Sequence, residues 1–191
     1  MQRKPRTLSH ARLFVTTVMV SSVVFLIVLG MTDHRTRAPV LRPMGADVLV
    51  TKQITFGNLP FLIHSGIRTV IDIRPDNEEA GQPESRQMQA RVEGSGLHFA
   101  YNPVAHGAIP DEAVTALQQA LAQSPKPALL YCRTGNRAAR TYALALASDP
   151  HGPDLATILD LVQSTGHAAD DLREALQARI AARAAPAGAS P

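Results

Sequence analysis

The chain has 191 residues, 45% of them hydrophobic and 18% charged, a length that suits one domain, and its pI of about 9.4 invites a nucleic-acid reading. The charges are segregated, which removes that invitation: residues 1–42 carry seven Lys or Arg against Asp33 alone, leaving 12 basic and 15 acidic residues for the rest. That remainder is mildly acidic, lacks tryptophan and has no basic stripe interleaved with aromatics, so no nucleic-acid partner is expected.

In chain order, a basic segment (1–12) precedes 19 uncharged residues, Leu13 to Met31. As a helix this run measures about 28 Å, close to the thickness of a bilayer core, and it reads as a single-pass transmembrane anchor whose partner is the lipid bilayer. A cleaved signal peptide and a translation start at Met31 are the alternatives. Arg3, Lys4, Arg6 and Arg12 stand before the span and Arg35, Arg37 and Arg42 after it, a difference of one charge, so the side of the membrane is left open. The polar, proline-containing stretch 32–45 reads as a linker, and 46–183 as the folded domain.

Within that domain a short strand is expected over 47–51 and a short helix over 56–66. A strand over 69–73 breaks at Pro75 into an acidic loop. A helix over 85–93, a strand over 97–101, a helix over 110–123 and a strand over 128–131 follow. Helices over 137–148, 154–164 (capped by Asp154) and 168–182 complete the domain. The tail 184–191 is expected to be disordered. Strands alternating with helices define an α/β domain.

The only cysteine, Cys132, ends the last strand and opens Cys132-Arg-Thr-Gly-Asn-Arg137. At a strand-to-helix turn the first amides of the helix lack internal partners, and with the helix dipole they form a cradle for an anion. A cysteine in such a cradle, beside Arg133 and Arg137, is placed to act as a nucleophilic thiolate. Arg133, Thr134, Gly135 and Asn136 are therefore expected to bind an anion. In an open parallel sheet the loops at strand C-termini share one edge, so the loop after the 69–73 strand should border this cradle. Arg74 there is a further candidate for anion binding, or for pairing with Glu78 or Glu79. Asp76 is a candidate acid or a loop-capping residue.

Three stretches carry a family resemblance: Val70 through Pro83, Tyr101-Asn-Pro-Val104, and Tyr131 through Arg137. Together they resemble the phosphatase-like domain of the beta-lactamase-hydrolase-like proteins, over roughly residues 44 to 183. That family is similar in fold to dual-specificity phosphatases and is also labelled a sulfur transferase family. The resemblance implies a four- or five-stranded, mostly parallel sheet flanked by helices, a catalytic cysteine and an anion pocket.

The resemblance leaves the reaction open. Cysteine phosphatases use Cys-x5-Arg, whereas Cys132 to Arg137 is Cys-x4-Arg, similar to the tighter loop of rhodanese-type sulfurtransferases. Dual-specificity phosphatases also carry a Pro-hydrophobic-x-Asp turn whose aspartate is the general acid, and the matching stretch here is Pro103-Val-Ala-His106. Histidine can serve as an acid near neutral pH. Loop length and the missing aspartate point to sulfur transfer through a Cys132 persulfide, fed by a small sulfane-sulfur donor. The alternatives are a phosphatase-like hydrolase acting on a phosphorylated substrate through phosphocysteine, and a membrane-anchored binding module without catalysis. Neither chemistry needs a cofactor. The seven histidines are scattered and no two stand at i, i+4, so no metal centre is expected.

Overall fold

The computed structural model describes residues 18–22 and 38–184. Residues 18–22, within the expected anchor, are helical, while the rest of 13–31, the basic segment 1–12 and residues 185–191 of the tail lie outside the described residues. Among the described residues no helix is long and apolar enough to cross a membrane.

From residue 38 the chain forms one compact unit. Its strands are β1 (Arg42–Pro43), β2 (Val48–Thr51), β3 (Thr69–Asp72), β4 (His98–Tyr101) and β5 (Ala128–Tyr131). They make one sheet in the order β1-β2-β5-β3-β4. Every pairing is parallel except β1 with β2. The sheet thus has five strands and is mostly parallel, as the family resemblance implied. β1 is the departure. Arg42 and Pro43 fall in the stretch read as linker, yet they pair with Val50 and Leu49. An Arg-Pro dipeptide carries no strand signal, and proline is tolerated here because β1 is an edge strand.

The helices are α1 (Leu59–His64), α2 (Ser85–Gly94), α3 (Asp111–Gln123), α4 (Asn136–Ser148), α5 (Leu155–Ser164) and α6 (Arg173–Ala184). Side chains alternate across the sheet, so β5 feeds two cores. Leu129 and Tyr131 pack with Leu62 of α1 and Met88 and Val92 of α2. Ala128, Leu130 and Cys132 pack with Leu117 of α3, Ala139 and Ala143 of α4, Ile158 of α5 and Leu176 of α6. With both faces covered, all four β5 residues are buried, which explains the uninterrupted apolar run Ala-Leu-Leu-Tyr.

Parallel pairing also decides where the loops go. Thr51 and Asp72 both stand opposite Tyr131, so β2, β3 and β5 end at one level. The segments that follow them, beginning at Lys52, Ile73 and Cys132, leave from the same edge. The segment after β4 joins them, since Asp72 stands opposite Tyr101.

Candidate active site

Cys132 follows the last residue of β5 and is 1% exposed. Its Sγ accepts a hydrogen bond from the Gly135 N–H at 3.2 Å. Gly135 has φ of +96°, a left-handed conformation that an L side chain rarely adopts, and it caps the first turn of α4. This one reversal aims an amide back at the sulfur. A Cβ at Gly135 would lie 3.0 Å from Nε2 of His167 and 3.3 Å from the Thr51 carbonyl oxygen, so a side chain there would be crowded as well as strained in φ.

Arg137 sits in the first turn of α4, and its guanidinium reaches away from the helix. Nη1 donates to the Val104 carbonyl at 2.6 Å, and Nη2 lies 2.6 Å from Oε1 and 2.8 Å from Oε2 of Glu78. This tether ties the cysteine loop to the segments after β3 and β4. Arg133 is half exposed, with Nε 3.4 Å from Oε2 of Glu79. Thr134 is exposed, and its hydroxyl accepts the Asn136 N–H at 3.4 Å.

Arg74 takes the second of the two parts expected for it, pairing with Glu78 and Glu79. It is buried, and each of its three guanidinium nitrogens is engaged inside the chain: Nε on Glu78 at 2.7 Å, Nη1 on Oε1 of Gln53 at 2.8 Å and Nη2 on Glu79 at 3.0 Å. A buried guanidinium is tolerable only when paired in this way. Its role in this geometry is to hold Glu78. Asp76 is likewise occupied: one carboxylate oxygen accepts the Ser85 N–H at 2.7 Å and the other the Ser85 hydroxyl at 2.5 Å, which fixes the start of α2. Both observations make Asp76 a loop-capping residue in this arrangement. His106 is exposed, with Nε2 3.2 Å from Oε1 of Glu78. Arg140, one turn beyond Arg137, grips Asp171 and the Ala168 carbonyl instead.

Glu78 is thus the centre of the rim, in contact with Arg74, Arg137 and His106. Burial alone raises its pKa, but hydrogen bonds from Arg137 and Arg74, together with their charge, outweigh that and hold it below the ordinary glutamate value. The sequence reading offered Glu78 only as a partner for Arg74. No local signal separates it from its neighbours, because the side chain that gives it importance stands 59 residues away.

Asp72, at the end of β3, accepts the Arg74 N–H at 2.9 Å. Burial pushes its pKa up to about 6, against the opposing influence of the Tyr131 hydroxyl and the Arg74 N–H. A raised carboxyl pKa means that the folded state holds the proton more tightly, so this residue's contribution to stability falls as pH rises from about 4 to about 6. Asp72→Asn keeps the acceptor and removes the charge. Urea titrations should find it more stable than the native chain at about pH 8, by up to about 3 kcal/mol, with the gap closing at about pH 4. A gap independent of pH would overturn this assignment.

A cysteine at a strand end, a glycine reversal that turns an amide onto it and an arginine in the following helical turn mark a candidate cysteine site on a phosphatase-like α/β fold. The family model for the phosphatase-like domain of beta-lactamase hydrolase-like proteins matches residues 40–149, and the chain belongs to that family. Curated relatives include the beta-lactamase hydrolase-like proteins of Agrobacterium fabrum, 31% identical over 100 residues, and Xylella fastidiosa Temecula1, 34% identical over 103. The matches cover 52% and 54% of this chain but only 23% of each relative, so the chain spans about a quarter of their length. Among solved structures, a candidate phosphatase from Neisseria meningitidis Z2491 is 28% identical with a TM-score of 0.64, over 72% of this chain and 96% of that one. The core catalytic domain of the PP-IP phosphatase SIW14 from S. cerevisiae shares the fold at 13% identity and a TM-score of 0.56, over 73% of this chain and 85% of that one. The family match and the Neisseria structure back the phosphatase-like alternative better than the sulfur transfer expected from loop length.

Proposed function

We propose that this domain hydrolyses phosphate monoesters through a phosphocysteine intermediate. The observation that carries the reading is the Gly135 N–H on Sγ of Cys132, at the start of a helix whose Arg137 sets a two-pronged donor at the rim. Sγ attacks phosphorus, the bond from phosphorus to the ester oxygen breaks, and His106 gives that oxygen its proton. Water then attacks the phosphocysteine, the S–P bond breaks, His106 takes up the water's proton, and phosphate leaves. Arg137 and the loop amides carry the negative charge of the transferring group, the kind of fixed stabilisation that dominates such reactions. Glu78 holds Arg137 and His106 in place.

A general acid matters most when the leaving group is poor. His106→Ala should lower kcat about 100-fold on an alkyl phosphate and far less on a nitrophenyl phosphate, measured by phosphate release. Equal loss on both would remove His106 from the proton transfer. The Cys-x4-Arg spacing favours persulfide chemistry as a second reading, under which Cys132 would gain the mass of one sulfur atom on exposure to thiosulfate. The uncharged run 13–31 supports a bilayer anchor for the domain.

A further inference from the structure

The Gly135 reversal is backed by a segment that belongs to neither the cysteine motif nor the rim. α5 ends at Ser164, and Gly166, with φ of +80°, turns the chain so that His167 comes up against the cysteine loop. The His167 ring fills the space on the Cβ side of Gly135, with Nε2 3.0 Å from where that atom would stand, and it hydrogen-bonds the Thr134 backbone. The Gly135 N–H is left to reach Sγ of Cys132.

The residues that follow His167 are fastened to the helix that the loop begins. Arg140, in the second turn of α4, donates through Nη1 to the Ala168 carbonyl at 3.1 Å and clasps the Asp171 carboxylate with Nη1 at 2.6 Å and Nη2 at 2.5 Å. Ala169 is buried in the larger core. His167 is thus held from the side of α4 and pressed onto the turn that caps the same helix.

The ring acts here without charge. His167 is half-buried, and its pKa is lowered, first by burial and then by the charge of Arg42, although the hydrogen bond to Thr134 opposes both. A histidine held below its ordinary value is neutral near pH 7, so what it supplies to the loop is contact and a hydrogen bond. Glycine has more backbone freedom than any other residue, and an amide carried by one stays aimed only where its surroundings remove the alternatives.

We propose that His167 is a positioning residue for Cys132: it backs the turn at Thr134 and Gly135 so that the Gly135 N–H stays on Sγ. Its effect on turnover rests on the phosphatase reading, whereas its hold on the amide does not.

Hydrogen exchange at the Gly135 amide of the full chain reads that hold directly. His167→Ala should speed exchange there by about 10-fold or more, while the amides of Leu129 and Leu130 in the middle of the sheet keep their protection. On phenyl phosphate, kcat should fall about 10- to 100-fold with KM little changed, the size expected when a reacting group is misplaced by about 1 Å. His167→Gln carries a planar amide to the same reach and keeps a donor for Thr134, so it should restore both readouts. His167→Leu fills the space without a polar atom and should restore neither. Native exchange at Gly135 in the Ala and Leu variants would overturn the proposal, as would a Gln variant no better than Leu. Thermal melting reports whether His167→Ala folds, and if it does not, the contrast between Leu and Gln decides.

The two readings fail separately. If the native chain leaves phenyl phosphate intact while exchange at Gly135 still depends on residue 167, the phosphatase reading falls and the positioning role stands. If phenyl phosphate is hydrolysed and exchange at Gly135 is indifferent to residue 167, the positioning role alone falls.

Discussion

Cys132→Ser should abolish phosphate-ester turnover, by about 10⁴-fold or more, as removal of a covalent nucleophile does elsewhere. The same substitution should leave the fold intact. Cys132 is 1% exposed, its neighbours are the packed residues of the larger core, and a serine oxygen in place of its sulfur can still accept the Gly135 N–H. Loss of chemistry and loss of stability are therefore separable at this position. Aryl phosphate turnover measured beside thermal unfolding makes the check: near-native activity in the serine variant would remove the cysteine from the reaction. A melting temperature far below native would show that the sulfur serves packing first.

The second large effect is expected at Arg137. Arg137→Ala should lower kcat/KM about 1,000-fold, because it takes away the guanidinium that the proposed reaction uses against the transferring charge and frees the loop from Val104 and Glu78. Arg137→Lys should rescue little of this, since one ammonium group cannot serve a carbonyl and a carboxylate at once as the two guanidinium nitrogens do. Stability should change too, and with a definite sign in pH. Glu78 is held below its ordinary pKa, so it contributes stability above the unfolded glutamate value and loses it as pH falls through the lowered folded value. Without Arg137 the folded value moves back up, and the acid limb of the unfolding curve should start at higher pH. Acid titrations of the native chain and Arg137→Ala by circular dichroism decide this; superimposable acid limbs would sever Glu78 from Arg137.

Loop counting led toward sulfur because it treats Cys-x4-Arg as a ring whose size is set by the number of residues in it. The structure shows what the count omits. Arg137 lies within α4, and its side chain runs outward to Val104 and Glu78, so the reach of the guanidinium depends on where β3 and β4 deliver their loops. The same reasoning explains Arg74. Its position after a strand, beside a proline, suits an anion anchor or a partner for Glu78 or Glu79, and the folding back of the acidic loop brings both glutamates onto it. An acidic loop has no periodicity from which to read which carboxylate meets which cation.

What the chain alone determined is local. Four-residue apolar runs, glycine stops and the Asp154 cap marked four of the five strands and the six helices to within a few residues, because burial and capping act over one or two turns. Cys132, Gly135 and Arg137 were legible for the same reason: they are neighbours. The tertiary structure decided everything that depends on parallel strands ending at one level. Glu78 between Arg137 and His106, and Gln53 against Arg74, join residues far apart in sequence. No pattern encodes such encounters, since they are set by strand order and register, which only the packed sheet establishes.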